Sequence, residues 1–278
     1  MKKYFILNAD DFGMSKTRNQ AIVAACRDGF LKSASLCVNG EAFDDAVNRV
    51  HECPGLGLGV HLNIIEGKAL VPGSSLTDSS GLFRPGFIRL LLQSGGKHFL
   101  QDVENEFRAQ IETGQKHVRF DHIDSHVHTH GIPAIFNIAA KLARDYKIPA
   151  VRTQYERRYM VPHNRSNTSA VFAVNRIKIA LLNTFTAHNR KTLDTSLKTN
   201  DYLIGVGYTA MMNAQTVAHG LKAVTKQAAK HGIERLVVEA LFHPDSLRQN
   251  AEYQIPFDRR LAEQITAMGF ELVNYGAV

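Results

Sequence analysis

Short apolar runs alternate along the chain with longer stretches in which apolar positions recur every three or four residues, the rhythm of strands and helices around a parallel sheet. Tyr4 to Asn8 is a first predicted strand. Ser15 can cap a helix to about Gly29, with Ala21, Ile22, Ala25 and Cys26 on one face. Ala34 to Val38 is a second strand, Ala42 to Val50 a helix, and Leu56 to Asn63 a third strand, thinned by Gly57 and Gly59. From Ile64 to about Gly96 the turn signals Pro72-Gly73, Ser79-Ser80-Gly81 and Pro85-Gly86 mark a long loop. A helix from about Phe99 to Thr113 aligns Val103, Phe107 and Ile111. Phe120 to His128 is a strand, Ala134 to Tyr146 a helix and Ala150 to Thr153 a short strand.

The rhythm breaks from about 155 to 201, which is polar and basic around one apolar helical segment, Ile177 to Phe185. This stretch has too few apolar residues for a core of its own and reads as an insertion in a single domain spanning 1–278. Beyond it, Asn213 can cap a helix ending near Gly232. Arg235 to Leu241 is a strand, Phe257 to Met268 a helix, and Phe270 to Asn274 closes the set. No internal repeat is visible. The expected fold is α/β: a distorted (β/α) barrel of seven or eight strands carrying one basic insertion.

Composition adds limits. With 44% hydrophobic residues in 278 the chain can bury a full core, and no run of eighteen apolar residues suggests a membrane span. Met1-Lys2-Lys3 precedes a short apolar run, but Asn8, Asp10 and Asp11 follow at once without a small-residue cleavage site, which argues against a secretory leader. Cys26, Cys37 and Cys53 are odd in number and lack metal-ligand spacing, so they read as buried thiols in a reducing compartment, with cytoplasm as the expectation. The formal charge of +7 gathers between Arg152 and Lys198, in Arg157, Arg158, Arg165, Arg176, Lys178, Arg190, Lys191 and Lys198. No nucleic-acid motif or interleaved aromatic platform accompanies it. A solvated surface, or one facing a second subunit in a homodimer, is the expectation, with an anionic partner as the alternative.

The candidate chemistry shares one address. Asp10 and Asp11 follow the first strand and His61 ends the third. Asp124, His126 and His128 end the strand after Phe120, Arg152 ends the next, and His243 follows Arg235 to Leu241. In a β/α barrel the carboxyl ends of the strands are where βα loops converge and active sites form. Singly, each residue has a structural alternative: a capping aspartate, a core histidine, a turn at His243-Pro244. Together they argue for metal binding, since several imidazoles on one strand face would be costly to bury without partners. One carboxylate and two neutral imidazoles bind a divalent ion and leave positions open. A second carboxylate can accept a proton from water, and a histidine across the site can protonate a leaving nitrogen. That inventory suits amide hydrolysis.

Asn8-Ala9-Asp10-Asp11-Phe12-Gly13-Met14-Ser15, Gly59-Val60-His61-Leu62-Asn63 and His122-Ile123-Asp124-Ser125-His126-Val127-His128 resemble the hallmark segments of YdjC-like carbohydrate deacetylases, a group that includes chitooligosaccharide deacetylases. Ser35 to Gly40, Leu76 to Phe83, Arg152 and Val273-Asn274-Tyr275 agree, and only the basic insertion stands apart. The resemblance implies a distorted barrel and one divalent ion, Mg²⁺ or Zn²⁺, held by Asp11, His61 and His126, with His128 as the rival to His126. It also implies Asp10 as general base and His243 as the histidine of the C-terminal His-Pro pair, the expected general acid. Arg152 is expected to hold Asp10 ionised. His128 and Asp245 are candidate substrate-binding residues. Asp245 stands where the family often has glycine, which changes the charge of the pocket near the acid. The implied substrate is a small acetylated amino sugar or short oligosaccharide. Competing readings are a metal-dependent phosphoesterase or amidohydrolase and a non-catalytic sugar-binding protein. The first strand's Asp10-Asp11 argues against the former, and the filled catalytic positions argue against the latter.

Overall fold

The computed structural model describes residues 1–84, 86–246 and 251–278, so Pro85 of the predicted Pro85-Gly86 turn lies outside the described residues. Among the described residues seven strands make one parallel sheet: β1 (Lys2–Phe12), β2 (Ser33–Leu36), β3 (Gly57–Leu62), β4 (His122–Ser125), β5 (Tyr202–Ile204), β6 (Arg235–Phe242) and β7 (Phe270–Leu272). Their order is β4-β3-β2-β1-β6-β5. Since β6 runs beside β1 from Lys2 to Ala9, β7 and β2 divide the other edge of β1, at Lys3–Phe5 and Asn8–Phe12. The sheet curls as a half-barrel, consistent with a distorted (β/α) barrel. Its two ends are linked by a segment without a ladder of its own: Val151 bridges to Ile123 of β4, and Tyr155 O accepts the Leu203 amide of β5 (2.7 Å).

The helices are α1 (Lys16–Asp28), α2 (Phe43–Arg49), α3 (Phe87–Gln93), α4 (Lys97–Gln115), α5 (Pro133–Asp145), α6 (Ala170–Asn189), α7 (Ala214–Lys230) and α8 (Arg259–Ala267). Alternation along a strand sorts its residues between two faces. On β1, Phe5, Leu7 and Ala9 enter the main core beneath the helices, while Ile6 joins a smaller inner cluster with Val237, Val273 and Tyr275. Asn8 and Asp10 continue that inner face toward the carboxyl end of the strand. The predicted caps hold: Ser15 Oγ accepts the Arg18 amide, and Asn213 forms a reciprocal capping box with Thr216.

Several expectations need correction. The strand expected from Phe120 to His128 stops at Ser125, because the Ser125 hydroxyl accepts the His130 amide (2.9 Å) and draws the chain into a turn. Val127 and His128 then adopt φ of 53° and 57°, so His126 and His128 do not share a strand face. Ala150 to Thr153 makes isolated bridges, not a strand. The loop from Ile64 to Gly96 contains α3, and the short β5 follows the basic stretch. The apolar segment there extends to the whole of α6, capped by Ser169, and its Ile179 and Leu182 pack on Leu203, Val206 and Leu241. Arg190 is not a surface charge: its guanidinium donates to the Asn200 and Asp201 carbonyls (3.0 and 2.6 Å). Cys37 and Cys53 are buried as expected, but Cys26 is half-buried.

Gly57 and Gly59 have a steric reason. A Cβ at Gly57 would meet Asp121 Oδ2 at 2.4 Å, and one at Gly59 would meet His122 Nε2 at 2.2 Å. β3 is bare so that β4 can place its His122 ring over it. Overpacking a filled interior costs about 1–3 kcal/mol, so Gly59→Ala should lower unfolding free energy by that amount in a denaturant melt. An unchanged midpoint would show that His122 yields freely.

Candidate active site

The site begins where β1 breaks register. The β1–β2 pairing shifts between Ala9 and Phe12, and Asp11 sits there with φ 70°. An irregularity of this kind re-aims a side chain, and here it separates two adjacent carboxylates. Asp10 keeps the inward face of the strand. Asp11 turns toward His126, whose Nδ1 lies 2.9 Å from Asp11 Oδ1, and His61, whose Nε2 lies 3.3 Å from the same oxygen. Arg18 of α1 holds Asp11 Oδ2.

Asp11, His61 and His126 each offer a ligand atom, all within 4.8 Å of one another. The donor set suits a borderline or hard divalent ion. His61 is also oriented as metal-binding histidines are: its Nδ1 donates to Asp124 Oδ1 at 2.8 Å, leaving Nε2 for the site. Burial disfavours charge on His61, but Asp124 and Asp11 outweigh it and raise its pKa to about 10. A metal ion at Nε2 would therefore take the place of a proton. Glu66 Oε2 reaches His126 Nε2 at 3.1 Å. His128 does not join this group.

Below lies a buried ionic network around Arg152. Its guanidinium grips both oxygens of Asp10 (2.8 and 2.9 Å), meets Asp124 Oδ2 at 2.7 Å, and bonds Glu239 through Nε at 2.8 Å. Asn8 donates to Asp10 and Ser35 (both 2.8 Å), and Ser35 donates to Asp124 (2.6 Å). Tyr275 closes the far end by donating to Glu239. Burial alone would raise the pKa of Asp10, but the Arg152 charge and hydrogen bonds bring it below the usual range. Asp124 is lowered likewise, whereas burial prevails at Glu239 and raises it.

Asp10, Asp11, His61 and His126 floor a cavity of about 470 Å³ whose walls come from α3, α6 and the loops after β4, β5 and β6. His243 lines it, its amide and Nδ1 facing Glu252 Oε2 (2.8 and 3.5 Å). Burial opposes a charge on His243, but Glu252, Asp11 and Asp10 raise its pKa. His128 also lines the cavity, its pKa pushed down to about 3 by burial and Arg152; among the described residues its Nδ1 has no hydrogen-bond partner. Asp245 is half-buried beyond Pro244 and is not among the residues lining the cavity. The structure thus brings Asp10, Asp11, His61, His126, His128 and His243 to one cavity, with Arg152 beneath.

Sequence reasoning missed Arg18, Glu66, Glu239, Glu252 and the α6 wall. Only Glu239 left a signal, a lone carboxylate amid the apolar run Leu236 to Phe242. The others depend on loops and helices meeting in space.

The family model for YdjC-like protein matches residues 4–267. A carbohydrate deacetylase of Brevibacillus brevis is 43% identical over 148 residues, 52% of this chain and 57% of that protein. A chitooligosaccharide deacetylase of an Enterobacter species is 38% identical over 146 residues, 51% of this chain and 56% of that one. The chain thus spans somewhat more than half the length of the curated relatives it matches. A crystal structure from Enterococcus faecalis V583, named for cellobiose-phosphate cleavage, superposes with TM-score 0.74 at 25% identity, covering 100% of this chain and 99% of the other.

Arg152→Gln would leave three carboxylates buried without their cation, a change that typically costs about 3–5 kcal/mol. In the native chain Asp10 and Asp124 are lowered, so their contribution is present above the ordinary carboxylate range and lost as pH falls below it. In the variant those pKa values rise, and protonation relieves the strain. The stability deficit should therefore be largest near neutral pH and shrink on acidification. Denaturant melts at a series of pH values would show this, and a pH-independent deficit would contradict it.

Proposed function

This chain belongs to the YdjC-like protein family, and on that premise we propose that it is a metal-dependent hydrolase removing the N-acetyl group from an acetylated amino sugar or short oligosaccharide. The observation that carries the reading is the Asp11, His61 and His126 cluster beside Asp10 and His243 in one cavity. Those three residues would hold the ion, Mg²⁺ or Zn²⁺. When bound, it supplies Lewis-acid polarisation of the acetyl carbonyl and water of lowered pKa.

The chain's own groups do the rest. Asp10, kept ionised by Arg152, accepts a proton from the attacking water as the carbon–oxygen bond forms. His243 then gives its proton to the sugar nitrogen as the carbon–nitrogen bond breaks, so that acetate and a free amine leave. The raised pKa of His243 keeps that proton available near neutrality. His128, neutral on the cavity wall, suits a hydrogen bond to a sugar hydroxyl, and Asp245 flanks the acid. Cytoplasmic location and a homodimer belong to the same reading.

An acetate-release screen of N-acetylated mono- and disaccharides, with and without Mg²⁺ or Zn²⁺, tests the activity; turnover of a generic phosphate ester instead would sink it. Asp11→Asn should lose bound metal, whereas Asp10→Asn should keep metal yet lose most turnover. Equal metal loss in both would refute the division of labour.

A general acid contributes about 10²–10⁴-fold, so His243→Ala should lose roughly that much kcat on an acetylated amino sugar with metal content intact. An activated aryl acetate, whose leaving group needs no proton, should slow far less. Equal slowing of both substrates would assign His243 another task.

A further inference from the structure

The walls of the cavity do not match its floor. Above the polar groups stand Phe87 and Ile88 of α3, Val127, Leu181 and Leu182 of α6, and Val206. A sugar ring carries a hydroxyl on most carbons, and each needs a polar partner once water is displaced. These six side chains offer none and only one is an aromatic face, which leaves Lys178 of α6, Thr209 and His128 as the polar groups on the walls for a sugar's hydroxyls. Outside, the same surface continues: Ile88 is 72% exposed and Leu92, one turn on, 80%, while Ile177 of α6 is 72% exposed and shares a stripe with Val174 and Leu181. Scattered exposed aliphatics need no explanation, but a group of them continuous with a polar catalytic floor does.

We propose that the sugar substrate carries an aliphatic aglycone, making this chain a deacetylase of amphiphilic glycosides whose apolar tail lies between α3 and α6. The inference rests on the deacetylase reading above. Because the acyl group of that reading has only two carbons, the apolar length must lie on the sugar side of the amide. The floor takes the amide and the walls take the tail as it leaves the cavity, so tail and chemistry occupy one continuous surface.

The test uses methyl, hexyl and decyl glycosides of N-acetylglucosamine, each below its micelle concentration, with the metal-loaded full chain. Each buried methylene contributes about fourfold, so burying only two of the nine that separate methyl from decyl should lower KM by more than about tenfold while kcat changes little. In the double variant Ile88→Asn/Leu181→Asn the methyl-to-decyl ratio should collapse toward one. Val171→Asn, exposed on α6 but not lining the cavity, should retain the ratio. Turnover of all three glycosides with equal KM, or a gain that survives the double variant, overturns the aglycone assignment and leaves the deacetylase reading standing. No turnover of any glycoside under a metal loading that supports acetate release from an N-acetylated disaccharide overturns the aglycone assignment alone; no acetate release from any of these sugars, at any metal loading, overturns both. Sedimentation velocity separates the remaining occupant, a second copy of this chain. A double variant that turns dimer into monomer with its chain-length ratio unchanged marks the patch as a subunit interface and overturns the proposal.

Discussion

Everything polar in this interior depends on one buried guanidinium. Arg152 is completely shielded from water, and so are Asp124 and Glu239, with Asp10 nearly so. Such a group is tolerated only when its donors are all spent, and here they go to three carboxylates on three different strands. A lysine could not substitute, since a point charge lacks the fork that takes both oxygens of Asp10 while still reaching Asp124 and Glu239. The network fixes the separation of β1, β4 and β6 and so sets where their carboxyl ends stand. Its consequence for the site is electrostatic. Asp10 is held as a carboxylate, and Asp124, itself anchored by Arg152, orients the imidazole of His61.

Much of this was legible in the chain. Asp10, Asp11, His61, His126 and His243 fall at strand ends, and in a parallel β/α sheet strand ends share one face, so their convergence follows from the hydrophobic rhythm alone. Arg152 could be paired with Asp10 for the same reason. What the rhythm could not show was direction. Alternation places His126 and His128 together if the strand continues, but the Ser125 hydroxyl ends it, and that hydrogen bond has no periodic signature. Residues such as Arg18, Glu66 and Glu252 come from a helix and two loops whose approach is a tertiary fact. The apolar walls were hidden for a related reason: the basic stretch looked like solvated surface until α6 was seen packing on Leu203 and Leu241.

Division of labour between floor and wall also follows from the architecture. The proposed chemical groups are carried by strands and by residues directly after them, which the ladder and Arg152 hold rigidly. The groups that meet the rest of the substrate are carried by α3 and α6, elements outside the sheet. Selectivity and reactivity therefore rest on different parts of the fold, the usual arrangement when loops are mounted on a rigid scaffold.

The shift of register in β1 has a consequence for the chain's tolerance of change. Consecutive residues on a strand face opposite ways, and the irregularity at Asp11 is what lets two neighbouring acids open into one cavity without competing for the same partners. Deleting one residue between Lys2 and Asn8 would not merely shorten the strand. It would slide the inward face by one position, set Asp11 against Arg152, and turn Asp10 into the apolar layer under the helices. The reading frame of a single strand, counted from its pairing with β6, thus acts as the key that assigns each aspartate its neighbours.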